Sequence, residues 1–107
     1  MAAPIVVVAT IVAKPGHEDD VEKAFADAAP AVHAEPGCLL YALHKKTAEP
    51  GIFVMVEKWA SQEALGAHMQ GEVMRGIGAA LRDALAAAPD IQMLEAIPAG
   101  DADRGAV

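Results

Sequence analysis

Nine consecutive residues, Ile5–Ala13, read IVVVATIVA and are apolar almost without a break. A strand with one wet face alternates apolar and polar residues. A near-continuous β-branched run is what a strand buried on both faces requires. That demand is hard to meet in a chain of 107 residues, which is one domain with a modest core.

The remaining elements show why. "KPG" at Lys14–Gly16 ends the first strand. His17–Ala34 has a helical stripe of Val21, Phe25, Ala28 and Val32, and Glu18, Asp19 and Asp20 in its first turn complement the helix dipole. Pro30 is expected to kink this helix or end it early, and "EPG" at Glu35–Gly37 stops it. Cys38–Thr47 and Ile52–Ala60 read as two strands of a hairpin around the turn "AEPG" at Ala48–Gly51. Ser61 caps a short helix over Gln62–Met69. Gly71 interrupts the chain, and a longer helix runs to about Ala87 with Val73, Ile77, Leu81, Ala84, Leu85 and Ala88 on one side. Ile91–Ile97 is a last strand. The domain therefore occupies residues 1–98, and 99–107 is a flexible C-terminal tail.

The order β-α-β-β-α-α-β is a split βαβ plan: an α+β, ferredoxin-like fold with helices on one face of an antiparallel sheet. Those helices cover one face only. The other remains apolar at Val6, Val8 and their neighbours, so a second sheet is expected to cover it, most simply that of a second subunit.

Charge narrows the partners. The formal net charge is -7 with only 8 Lys and Arg, which excludes a phosphate-neutralising surface for nucleic acid and disfavours an anionic membrane. No run reaches the length of a membrane span. The apolar N-terminus lacks the basic start of a signal peptide. A single cysteine, Cys38, makes no internal disulfide. A cytoplasmic protein with a small neutral or apolar ligand is the expectation. The His and Cys residues show no paired metal-ligand spacing, and GEVMRGIGAAL lacks the Gly-Lys-Ser/Thr of a phosphate loop. Gly76 and Gly78 are expected where helix and sheet approach closely.

The chemistry-bearing residues concentrate between Glu35 and His68. In the third strand, Phe53, Met55, Glu57 and Trp59 share one face, and Ile52, Val54, Val56 and Lys58 the other. The second set suits a flat contact between sheets. The first is bulky and carries an acid, and suits a pocket beneath helices. Glu57 in an apolar strand costs several kcal/mol (roughly) unless paired. It reads as a base, as the orienter of a histidine, or as half of a structural pair. Trp59 reads as a stacking wall or as the main core anchor. Tyr41 and His44 lie three apart, so only one of them faces the pocket, and His44 has the better chemistry. Cys38 has no basic neighbour in sequence and reads as a buried filler. His17 and His33 read as surface residues at helix ends.

The segments "AKPG", "EPGCLLY", "LH", "FVMVEKW" and "ALGAH" together resemble the antibiotic-biosynthesis monooxygenase family of dimeric α+β barrel proteins. The resemblance spans about Ile5 to Ile97. It implies a homodimer with sheets packed back to back and a small pocket between each sheet and its own helices. It also implies a cofactor-independent, metal-free oxidation of a phenolic or quinol-like aromatic by dioxygen. On that reading His68 is the base, Glu57 supports it, and Trp59, Phe53, Met55 and His44 contact the substrate. Haem-degrading relatives carry an Asn in the first strand, where this chain has Ala9 and Thr10, and the acidic charge also opposes a haem. The competing reading is a non-catalytic small-ligand-binding or stress-response dimer. Pocket volume separates the two: an aromatic substrate needs a hollow of at least ~300 Å³, whereas a face closed by Met55, Met69 and Met74 favours the non-catalytic reading.

Overall fold

The computed structural model describes residues 3–107. Met1 and Ala2, the start of the expected domain, lie outside them. Strand β1 (Ile5–Val12), helix α1 (Glu18–His33), strands β2 (Cys38–Lys45) and β3 (Ile52–Trp59), helices α2 (Gln62–Met69) and α3 (Glu72–Ala80) and strand β4 (Asp90–Leu94) follow one another in the expected order. The strands form one antiparallel sheet ordered β2-β3-β1-β4. This is the ferredoxin-like arrangement, with β3 inserted between β1 and β2.

The position of β1 accounts for its unbroken apolar run. It is hydrogen-bonded to β3 on one side and β4 on the other. Val7, Ala9 and Ile11 enter the core beneath the helices together with Phe53, Met55 and Trp59. The register places Val7 opposite Glu57, Ala9 opposite Met55 and Ile11 opposite Phe53, so each pair shares the helix-covered face. Val8, Val54 and Val56 belong to the outer face, where they are half-buried.

Helix α1 buries Val21, Phe25 and Val32, three positions of the expected stripe. His17 precedes it without a side-chain cap. Glu18 turns back instead, and its carboxylate accepts the Gly16 N–H at 2.6 Å. Pro30 does not end the helix: three more residues follow in helical conformation, and the Pro30 carbonyl accepts the Ala34 N–H. In the last turn, the tertiary packing of Val32 outweighs the one donor that proline removes. Helix α2 starts as expected, with the Ser61 hydroxyl accepting the Ala64 N–H at 3.1 Å.

Helix α3 is shorter than its apolar stripe suggests, ending at Ala80 and not near Ala87. Leu81 and Ala84 remain buried, but in a turn. The chain is drawn off the helix axis by pairing with the end of β1. Lys14 N–H donates to the Ala84 carbonyl, Ala86 N–H donates to the Val12 carbonyl, and Ala13 bridges Leu85. Gly76 and Gly78 mark no close approach, because an added Cβ would meet nothing within 4 Å at either. Their effect here is to weaken the helix.

The outer side carries Val12 and Leu94 as exposed large apolar residues, Leu39 is exposed at the irregular start of β2, and β4 exposes Ile91 and Met93 as well. The C-terminal segment reaches back to this sheet: Lys58 Nζ donates to a main-chain oxygen of Val107 at 2.8 Å. Asp101 shapes its turn by accepting the Asp103 and Arg104 N–H groups. No helix among the described residues is long and apolar enough to cross a membrane.

Candidate active site

Three segments converge beneath the helices. Strand β3 supplies Glu57 and Trp59, α2 supplies His68 from its last turn, and the loop after α1 supplies Glu35. The two-residue period of β3 puts the acid and the indole on one side, and α2 folds back over that side to bring His68 onto them. Glu57 and His68 are the two buried polar or charged residues among those described, 6 % and 4 % exposed.

Two side-chain hydrogen bonds tie this cluster together. Trp59 Nε1–H donates to Glu57 Oε1 at 2.9 Å. The indole also stacks on the His68 ring, with centroids 4.4 Å apart and planes 28° from parallel. His68 Nδ1 lies 2.6 Å from Glu35 Oε1, and its Nε2 lies 3.9 Å from Glu57 Oε1. Only the first of these two distances is a hydrogen bond. The Tyr41 ring packs edge-on against His68 with centroids 5.6 Å apart.

Burial raises the pKa of Glu57 from the usual carboxylate range. The Trp59 hydrogen bond and the nearby His68 oppose that shift, and the Glu35 carboxylate adds to it. Tyr41 is pushed strongly upward, first by burial and then by the Glu57 and Glu35 charges, so its phenol keeps its proton. The Cys38 thiol is likewise raised, by burial and then by Glu35, which disfavours the reactive thiolate.

Of the residues expected at the site, His68, Glu57 and Met55 line one apolar cavity between sheet and helices. Trp59 lies behind His68 and Phe53 is buried nearby, but neither lines that cavity. Trp59 therefore stacks on the imidazole and stands outside the cavity wall. His44 is not brought to the site. It pairs with Val54 on the outer face, is exposed, and makes a hydrogen bond with the Ala42 carbonyl. The hairpin register pairs Tyr41 with Glu57, so Tyr41 is the residue that faces the cavity. Glu35 was legible in sequence only as part of a helix stop. It lies 33 residues from His68, and no local period links them.

The cavity has a volume of about 60 Å³, well below the ~300 Å³ of ligand sites. Met55, Met69 and Met74 all line it, with Phe25, Leu65 and Ile91. Met55 is fully buried, whereas Met69 is 40 % exposed and sits at the boundary with solvent. On the far side of His68 is an open groove of about 470 Å³ lined by Glu35, Gly37, Ala64 and Ala67. The imidazole thus stands between an apolar hollow and an open groove. Among the described residues no group of three His, Cys, Asp or Glu is arranged to hold a metal ion.

A ferredoxin-like α+β domain with an apolar hollow ending on a buried, carboxylate-held imidazole defines the class of protein. The particular family follows from comparison: residues 4–80 match the model of the antibiotic biosynthesis monooxygenase family, and the chain belongs to it. A solved structure from Caulobacter crescentus, provisionally named as an antibiotic biosynthesis monooxygenase, is 37% identical with a TM-score of 0.83; the alignment covers 90% of this chain and 92% of that one. A Pseudomonas aeruginosa protein is 30% identical with a TM-score of 0.84, covering 91% and 97% of the two chains. A Mycobacterium tuberculosis structure, at 21% identity and a TM-score of 0.83 over 92% of this chain and all of its own, shares the fold. No protein of curated function matches significantly.

Proposed function

We propose that this protein is a cofactor-independent monooxygenase that oxidises a small phenolic or quinol-like aromatic with dioxygen. The observation that carries the reading is a buried imidazole on the wall of an apolar cavity, with one ring nitrogen held by a carboxylate and the other directed toward the cavity side. Family membership supports the reaction class.

His68 Nε2 takes the phenol proton, and the electron-rich phenolate passes one electron to dioxygen. The radical pair combines at a ring carbon to form a C–O bond. The resulting peroxide is protonated, the ring C–H proton leaves, and the O–O bond breaks to release water and a quinone. The protein contributes desolvation, orientation and a positioned base. Glu57 and Tyr41 border the reacting ring, and Met55 forms the floor.

The substrate must displace part of the methionine wall. Met69 and Met74 are unbranched, and Met69 already faces water, so they are the side chains suited to move. The outer sheet face is the proposed homodimer contact, since it is half-buried and apolar at Val8, Val54 and Val56.

A second reading, a dimer that binds a small ligand without catalysis, is favoured by the 60 Å³ volume. Oxygen uptake decides between them. Purified, metal-stripped protein with dihydroxynaphthalenes and naphthoquinols is expected to consume oxygen faster than autoxidation. Binding of those compounds without added uptake supports the second reading.

A further inference from the structure

Resting on the reading of His68 as base, we propose that Glu35 is the positioning residue of the site, holding the imidazole through Nδ1 so that the unprotonated Nε2 is presented to the cavity. The obvious orienter from sequence is Glu57, on the same strand face as Trp59. The geometry points elsewhere. Glu57 Oε1 is committed to the Trp59 indole at 2.9 Å and stands 3.9 Å from Nε2, whereas Glu35 Oε1 stands 2.6 Å from Nδ1.

An ionised carboxylate only accepts, so the ring nitrogen facing Glu35 must carry the hydrogen. In the neutral ring the lone pair is then on Nε2, the side of Glu57 and the hollow. The two carboxylates differ in exposure too. The Glu35 side chain is 20% exposed and borders the open groove, while that of Glu57 is 8% exposed. Water therefore supports the charge on Glu35, which can stabilise the imidazolium formed when Nε2 takes a proton. The other titratable groups around the ring are Glu57 and Tyr41, with Cys38 beyond them toward Glu35.

The backbone is built to hold this contact. Glu35 N–H donates to the Val32 carbonyl, and the Glu35 carbonyl accepts the Cys38 N–H. Gly37 adopts φ +82, and an added Cβ there would lie 2.5 Å from the Ala64 Cβ of α2. The Glu35–Gly37 turn is thus packed directly on the helix that carries His68.

The test is nitrogen-15 NMR of His68 in the intact protein, with oxygen-uptake kinetics alongside. The expected wild-type neutral ring is the Nδ1–H tautomer. Glu35→Ala should convert it to the Nε2–H form or a mixture, and Glu35→Gln should restore Nδ1–H, because its amide oxygen still accepts. On an oxidised aromatic, Glu35→Ala should lower kcat at least tenfold while changing KM little, and Glu35→Gln should lie between. A wild-type ring protonated at Nε2, or a tautomer indifferent to Glu35→Ala, overturns the proposal. The wild-type spectrum decides this even if Glu35→Ala does not fold. Absence of oxygen uptake by the wild type would instead overturn the oxygenase reading, and the ring nitrogens would still decide the role of Glu35.

Discussion

The indole of Trp59 lies nearly parallel on the imidazole of His68, and the same indole gives its N–H to Glu57. One side chain thereby ties the acid of β3 to the histidine of α2. Trp59 is fully buried, so this tie is also part of the core.

Trp59→Phe keeps a ring against His68 but leaves a buried Glu57 oxygen without its donor. The expected loss is about 1–3 kcal/mol beyond the effect of lost area. Urea unfolding followed by circular dichroism measures it. A change below about 0.5 kcal/mol, the size of a neutral surface substitution, would mean that the indole bond contributes nothing.

The raised pKa of Glu57 has a sign that can be checked. Between the ordinary glutamate value and its raised folded value, the native state binds more protons than the unfolded chain. Stability therefore falls as pH rises through that window and levels above it. Glu57→Gln retains an oxygen for Trp59 and removes the titration. Its stability relative to the parent should increase with pH across the window, read as the difference between urea midpoints at each pH. A constant difference would refute the burial argument.

The methionine wall should divide into a structural and a movable part. Met55→Ala empties a fully buried position and should cost about 2–5 kcal/mol. Met69→Ala, at the solvent boundary, should cost much less and should tighten binding of small aromatics by enlarging the hollow. Calorimetric titration with a naphthol tests this, and equal weak binding by parent and Met69→Ala would argue against this entrance.

Gly37 is held at positive φ with α2 against it. Gly37→Ala combines left-handed strain with a clash, and should destabilise by more than the ~1 kcal/mol of an unfavourable backbone change alone. Because the same turn carries Glu35, the His68 ring nitrogens should also shift in the NMR spectrum. An unchanged melting temperature would show that the turn relaxes freely.

The proposed dimer uses the outer face. Val54→Glu places a charge in the middle of that face, beside Thr10 and His44, and should give a monomer by sedimentation velocity where the parent is a dimer. A parent that sediments as a monomer at micromolar concentration removes this part of the proposal.

Local pattern was enough for much of the architecture. Alternation in Ile52–Trp59 assigned its two faces, and the acidic first turn, the Ser61 cap and the Gly-Pro stops placed α1, α2 and the hairpin. These features depend on neighbours within a few residues. Where long-range pairing competes, the local reading failed: the stripe past Ala80 is apolar enough for a helix, but the end of β1 takes its backbone hydrogen bonds.

What the amino-acid order determined by itself was the sheet with two apolar faces, the helices on one of them, and the acid and indole side by side on β3, because strand and helix periods act along the chain. Tertiary structure alone decided three matters. It chose Tyr41 over His44 for the cavity, since register is a relation between strands. It brought Glu35 to His68, since a contact between residues so far apart leaves no periodic trace. It also set the size of the hollow, because volume depends on how side chains from β1, β3, α1 and α2 pack together.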